Sequence, residues 1–82
     1  MNNLSKYDAA FLETFMLESK DLPGLAYQGV AGWDSVGHMQ LMAALEESFV
    51  IELDIDDIIG FSSYEFGKEI LKKYEIQLDA AA

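Results

Sequence analysis

The chain has 82 residues and a formal net charge of −10, is 51% hydrophobic and contains no cysteine. This length fits one domain, whose core is too small for a buried catalytic cleft beside a cofactor-binding fold. The composition excludes disorder, a disulfide framework, a thiolate metal site and a thiol nucleophile from the protein itself. Fifteen acidic against five basic side chains disfavour nucleic acid and anionic lipid as partners, because both are bound through lysine and arginine.

No secretory signal or membrane span is visible in the sequence. The N-terminus has no basic region followed by an apolar run, and the longest apolar stretches fall far short of a bilayer's thickness. We therefore expect a cytoplasmic protein that does not insert into membranes.

The first predicted helix runs from about Ser5 to Ser19. Ser5 with Asp8 resembles a capping box at its start, and Pro23 breaks the pattern after its end. Apolar side chains recur at three- and four-residue spacing and predict its buried face: Leu4, Tyr7, Phe11, Leu12, Phe15 and Met16. The loop that follows, residues 21–34, is long for so small a domain, which is typical of a packed or functional segment.

Three further elements complete an all-α prediction. A second helix spans Val36 to Ser48, with an apolar face that includes Val36, Met39, Met42, Ala43 and Leu45. Gly37 costs this helix up to ~1 kcal/mol in propensity, a cost that close approach of another surface would offset. Residues 51–55 are expected to be extended, 56–59 to form a helical turn, and Ser62 or Ser63 to cap a last helix. The prediction is one domain over 1–82, a four-helix bundle of three main helices and one short one, with its core at about 4–75 and a frayed tail from Leu78.

Ser35 is the candidate functional residue, because it follows Asp34 where the glycine-containing loop gives way to the second helix. As a hydrolase nucleophile it lacks partners, since His38 is the only histidine and no Gly-x-Ser-x-Gly elbow is present. A serine at this place is also often a simple helix cap. We expect His38 at the surface or the core edge, and neither it nor an EF-hand alignment from Asp54 predicts a metal site.

These residues together closely resemble the acyl carrier protein family. The resemblance rests on the Asp34-Ser35 pair, on a helix that ends in Leu45-Glu46-Glu47-Ser48-Phe49 and on Ile51-Glu52-Leu53 after it, and it runs from about Trp33 to Tyr74. It implies a non-catalytic carrier in which Ser35 receives 4′-phosphopantetheine from coenzyme A. Asp34 matches the acid that this family places next to the modified serine. A phosphodiester there would face the positive end of a helix dipole, and the arm's thiol would supply the sulfur that the chain lacks.

Departures from the family pattern indicate a specialised stand-alone bacterial carrier. Val36 replaces the usual leucine, and Gly37, His38 and Gln40 stand where fatty-acid carriers tend to be acidic. The Gly-Gly before serine that is common in peptidyl carriers is also absent. The resemblance is better to carriers that work beside acyl or aminoacyl ligases, including the D-alanyl carriers. We therefore expect an acyl or aminoacyl thioester cargo in fatty-acid, polyketide or another specialised biosynthesis.

The expected partners are a phosphopantetheinyl transferase and ligase or synthase enzymes with basic docking surfaces, acting on a monomer. The residues expected to contact them are Val36, Met39, Gln40, Glu46, Glu47, Asp56 and Asp57. The alternative is a non-modified acidic helical interaction module, or acids that only keep the domain soluble. Side chains that would repack around an acyl chain are Met39, Met42, Leu45, Phe49 and Phe66; the alternative is a closed core with the cargo in solvent.

Overall fold

The structure, a computed structural model, describes residues 2–78. Within these residues four α-helices follow one another: α1 is Asn3–Phe15, α2 is Ser35–Phe49, α3 is Ile55–Gly60 and α4 is Tyr64–Lys72. A 3₁₀ turn at Ser19–Asp21 interrupts the long loop between α1 and α2. Within residues 2–78 there is no strand, only an isolated antiparallel bridge between Ala26 and Ser63. The all-α prediction of three main helices and one short helix is confirmed.

Both ends of α1 differ from the prediction. Asn2 is the N-cap, and its side-chain oxygen accepts a 2.8 Å hydrogen bond from the Ser5 N–H, in place of the predicted capping box. The helix ends at Phe15 rather than near Ser19, because Met16 adopts the left-handed conformation with φ 55° and its N–H donates to the Leu12 carbonyl. Met16 consequently points away from the core and is 90% exposed.

The helix α2 is one residue longer at each end than predicted. Its buried side comprises Gly37, Leu41, Met42 and Leu45. Val36, Met39 and Ala43 were expected on that apolar face, but all three are exposed. Val36 and Ala43 lie on the exposed side of α2, and Met39 lies in the wall of a groove between α2 and α3.

The second half of the chain agrees more closely with the prediction. Residues 51–54 are extended, α3 covers the predicted helical turn with one more residue at each end, and Ser63 caps α4 by accepting a hydrogen bond from the Phe66 N–H. The core, however, continues beyond residue 75, because Ile76 and Leu78 are buried. The prediction of fraying from Leu78 is thus wrong for that residue, and 79–82 lie outside the described residues.

Aromatic side chains from α1, the long loop and the region around α4 meet in the core. Phe11 lies in the middle, with ring centroids 5.0 to 6.2 Å from those of Tyr7, Trp33, Phe61 and Tyr64. The Tyr7 hydroxyl donates to the Tyr64 carbonyl and the Tyr64 hydroxyl donates to Asp8. These contacts fix α1 against the start of α4. The long loop is fixed to the same place, since the Tyr64 N–H donates to the Leu25 carbonyl and Tyr27 N–H to Ser62.

Candidate functional site

Ser35 is the first residue of α2 and is exposed. The cap of this helix is Asp34, whose carboxylate accepts a 2.8 Å hydrogen bond from the Gly37 N–H. The Asp34 carbonyl also accepts the first backbone hydrogen bond of the helix, from the His38 N–H at 2.7 Å. Asp34 thus takes the capping role that the sequence left open for Ser35, and the serine hydroxyl is not needed to start the helix.

Gly37 lets the long loop pass directly against the first turn of α2. A Cβ at position 37 would lie 1.9 Å from the Gly32 carbonyl oxygen and 3.0 Å from a ring carbon of Phe15. No residue with a side chain fits this space without moving the loop backbone. The close approach expected for Gly37 is therefore present, and the surface that approaches is the loop segment just before Asp34.

Trp33 anchors the other end of that segment. Its side chain is fully buried and lies between the Phe15 ring, 5.4 Å away and nearly parallel, and the His38 ring at 6.2 Å. The indole Nε1–H donates a 2.9 Å hydrogen bond to His38 Nδ1. Ser35 is consequently held two residues after a buried anchor and two residues before a close backbone contact.

The His38 ring is half-buried at the core edge, one of the two places expected for it. Its other nitrogen, Nε2, lies 2.7 Å from the Ile58 carbonyl oxygen in α3. Since both ring nitrogens are engaged by Trp33 and Ile58, neither is placed to take a proton from Ser35. This geometry supports the rejection of a Ser–His nucleophile.

An apolar groove of about 400 Å³ opens beside Ser35, between α2 and α3. Its walls are formed by Tyr27, Ser35, His38, Met39, Ile55, Ile58, Ile59, Phe61 and Ser62. Ile55 and Ile59 are 67% and 75% exposed, and they were not among the residues predicted for the site. Their four-residue spacing on one helix face is the signal that reveals them, but the sequence interpretation assigned Ile55 to the extended segment.

Of the side chains expected to shelter a carried chain, Met39 is in the wall of this groove. Met42 and Leu45 are buried in the core, and Phe49 is half-buried. Phe66 lies elsewhere, lining a separate depression with Asp56 and Lys73.

The residues predicted to contact partners fall into two groups. Exposed side chains are Val36, Met39, Gln40, Glu47 and Asp56. Glu46 is half-buried, and its carboxylate accepts a 2.8 Å hydrogen bond from the Leu53 N–H, so it holds the connection between α2 and α3.

Asp57 is the one predicted contact residue that is buried in the structure. It is 7% exposed, and its carboxylate accepts hydrogen bonds from Lys73 Nζ at 2.6 Å and the Tyr74 hydroxyl at 2.5 Å. Lys73 holds the pKa of Asp57 below its usual range, with the Tyr74 hydroxyl adding to the effect. Asp57 fixes α3 to the C-terminal end of the fold and cannot reach a partner. Asp57 belongs to an acidic run in the sequence, and such a run gives no sign of which side chain turns inward.

In residues 2–78, no three His, Asp or Glu side chains lie where they could share a metal ion. None of the helices described there is both long enough and apolar enough to cross a membrane. Comparison with protein-family models, with curated proteins and with solved structures found no match. The resemblance to carrier proteins therefore depends on the residues of this chain.

Proposed function

We propose that this protein is an acyl or aminoacyl carrier that is modified at Ser35 with 4′-phosphopantetheine. The observation that carries the proposal is an exposed serine at the first position of α2, next to a carboxylate that already caps the helix and beside an apolar groove. A transferase can reach such a hydroxyl without disturbing the cap.

The residues around Ser35 fit a phosphodiester. The serine stands at the N-terminus of a 15-residue helix, where the helix dipole and the backbone N–H groups of the first turn favour negative charge. Trp33 and Gly37 hold the backbone on either side, so the attachment point is fixed while the arm remains free. When bound, the arm supplies a terminal thiol that can carry an acyl group as a thioester.

Asp34 has two tasks in this proposal. One carboxylate oxygen caps the helix by binding the Gly37 N–H. Because the residue is exposed, its carboxylate is also accessible to a metal ion that a transferase brings with it. We therefore expect Asp34→Asn to keep the cap, because an amide oxygen can still accept that bond, and to slow the modification.

Intact mass spectrometry after incubation with coenzyme A and a promiscuous phosphopantetheinyl transferase tests the proposal. The protein should gain the mass of one phosphopantetheinyl group, and Ser35→Ala should gain none. Ser62→Ala is the matched control, because Ser62 is exposed and lies in the same groove, and it should be modified like the parent. A mass gain that persists in Ser35→Ala would refute the assignment.

The proposed partners are enzymes whose docking surface is basic around an apolar centre. Val36, Met39 and Gln40 are exposed next to Ser35, and Glu47 and Asp56 supply negative charge farther away. Charges at the edge of an interface act mainly on the association rate. Glu47→Lys should therefore slow modification by the transferase at low ionic strength and weaken its salt dependence. Unchanged kinetics would identify Glu47 as ordinary solvated surface.

The alternative, an unmodified interaction module, is favoured by one observation. Met39, Ile55 and Ile59 are exposed apolar side chains in the walls of the groove, and Val36 is exposed next to Ser35. Clustered exposed apolar residues are typical of protein-binding surfaces. The two functions differ in the mass experiment, because a module of this kind gains no phosphopantetheine.

A further inference from the structure

The short helix α3 is held from two sides by a small number of polar contacts. On the side of the C-terminus, Asp57 binds Lys73 and Tyr74, and the Tyr74 hydroxyl also accepts a hydrogen bond from the Asp54 N–H. On the side of α2, the contact between His38 Nε2 and the Ile58 carbonyl at 2.7 Å is the one hydrogen bond that joins the two helices within residues 2–78. Apart from Ser35 and Ser62, the remaining walls of the groove are mostly apolar.

The direction of this bond follows from the neighbouring tryptophan. An indole N–H can only donate, so the His38 Nδ1 that lies 2.9 Å from Trp33 Nε1 must accept. A neutral imidazole that accepts at Nδ1 carries its proton on Nε2. That proton points to the Ile58 carbonyl, which has otherwise only a long 3.4 Å bond from the Phe61 N–H.

His38 also lies in the wall of the groove beside Ser35, one helical turn after that serine. Ile58 lies in the opposite wall. Any movement of α3 that widens the groove lengthens the distance between His38 Nε2 and the Ile58 carbonyl and breaks their bond. The width of the groove and this hydrogen bond are therefore linked.

We propose that His38 is a positioning residue: its Nε2–H holds α3 against α2 and so limits how far the groove beside Ser35 opens to a group carried there. The relation to a carried group depends on the proposed function, whereas the hold on α3 is a property of the unmodified protein. Trp33 contributes to this hold on α3, because its indole N–H fixes the His38 tautomer in which Nε2 is the donor.

Two substitutions separate the bonds of the histidine. Asparagine places an oxygen at about the distance of Nδ1 from the backbone, so His38→Asn can still accept from Trp33 but does not reach Ile58. Glutamine places an N–H at about the distance of Nε2, so His38→Gln can still donate to Ile58 while it releases Trp33. A role for His38 as mere filling of space would make the two variants behave alike.

The first measurement is on the unmodified parent protein. Nitrogen-15 NMR of the ring should find the proton on Nε2, and a proton on Nδ1 would overturn the proposal. In His38→Asn, the amide hydrogen exchange of Ile58 and Phe61 should rise about fivefold, the equivalent of one net hydrogen bond, with α1 amides unchanged. In His38→Gln, exchange in α3 should stay near the parent value while the single indole N–H signal moves.

Increased α3 exchange in His38→Gln, or parent-like exchange in His38→Asn, would overturn the proposal. Circular dichroism shows whether each variant is folded. If His38→Asn does not fold, two measurements still test the proposal: the ring tautomer of His38 in the parent and the amide hydrogen exchange of α3 in His38→Gln.

The second measurement concerns the carried group. A promiscuous phosphopantetheinyl transferase transfers the acyl-phosphopantetheine arm of a ten-carbon acyl-coenzyme A to the parent and to each variant. The rate at which hydroxylamine cleaves the thioester is then measured. His38→Asn should cleave several-fold more slowly than the parent and His38→Gln, because its groove opens more easily and shelters the thioester. Equal cleavage rates in all three proteins would overturn the role of His38 toward the cargo. Failure to load any of them, seen as an absent mass gain, would instead refute the proposed function.

Discussion

Replacement of Gly37 by alanine tests whether the loop before Ser35 is held by close backbone contact. The added Cβ would lie 1.9 Å from the Gly32 carbonyl oxygen, whereas ordinary van der Waals contact begins at 3.4 Å. The carbonyl must therefore retreat by about 1.5 Å. Trp33 directly follows Gly32 and is fully buried, so the retreat strains a segment that is fixed in the core.

The expected net effect is a loss of stability. Overpacking in a well-packed region costs about 1–3 kcal/mol, and alanine returns at most ~1 kcal/mol of helix propensity, less in the first turn of a helix. The free energy of unfolding should fall by roughly 1–2 kcal/mol. For a domain of this size, each kcal/mol lowers Tm by about 4–8 °C, so the shift is easily measured by thermal unfolding followed by circular dichroism.

Gly60→Ala is the matched control. Gly60 is also helical, in α3, but a Cβ there would meet nothing within 4 Å. Removal of the glycine's freedom in the unfolded chain should stabilise the protein by about 0.4–1 kcal/mol. The two glycine-to-alanine changes should therefore shift Tm in opposite directions. An equal or higher Tm in Gly37→Ala would refute the close contact between the loop and α2.

Three other changes follow from the geometry of single residues. Val50 ends α2 with φ 53° and is 89% exposed, so Val50→Gly should raise the unfolding free energy by about 1–2 kcal/mol; an unchanged Tm would contradict the strain. Lys73 lowers the pKa of Asp57, so the stabilisation by this pair is complete above the ordinary carboxyl pKa of about 3.9 and is lost as pH falls through the lower folded value. Asp57→Asn should flatten the acid limb of stability against pH, and an identical limb would refute the contribution. Burial raises the pKa values of Tyr7 and Tyr64, so their stabilisation is complete below about pH 10 and is lost as pH rises through the folded values. Tyr7→Phe should therefore lose less stability than the parent between pH 10 and 12, and parallel curves would argue against this cause.

The helices could be predicted because their periodicity is local, but the end of α1 could not. Met16 and Val50 both end helices in the left-handed conformation, a place where glycine is the usual signal. Because position 16 is not a glycine, the apolar spacing continues through Met16 and the predicted helix is too long. The same reasoning explains why Met16 was assigned to the core although it is exposed.

The start of α3 lies one residue before the predicted helical turn for a different reason. Ile51, Leu53 and Ile55 alternate with acids and fit a two-residue period, yet the chain becomes helical at Ile55. Within α3 the relevant pattern is the helical one, and the four-residue spacing of Ile55 and Ile59 places both side chains in the wall of the groove. A short apolar stretch that satisfies two periods cannot be assigned by periodicity alone.

At the candidate site, the sequence predicts Ser35 and Asp34 but not the contacts that hold them in place. The contact of Gly37 with Gly32 and the bond of His38 to Ile58 join residues that lie five and twenty positions apart. Such contacts depend on how the loop and α3 pack, and no local pattern specifies that packing. The glycine inside the helix was the one local sign that something came close.

The distribution of charge around Ser35 indicates that long-range electrostatic attraction and short-range apolar contact act at different stages of binding. The chain has a formal net charge of −10, yet from Ser35 to Leu45 it has no acidic or basic residue other than His38. The groove walls are mostly apolar and contain no Asp or Glu, whereas Asp34 directly precedes α2 and Asp54 directly precedes α3. Electrostatic attraction between exposed charges extends about 10 Å at 0.1 M salt, so it acts while a basic partner approaches. In the proposed complex, apolar burial would hold a partner on the groove, and that contribution does not weaken with salt. For a partner that docks at Ser35, we therefore expect added salt to slow association strongly and to leave dissociation nearly unchanged.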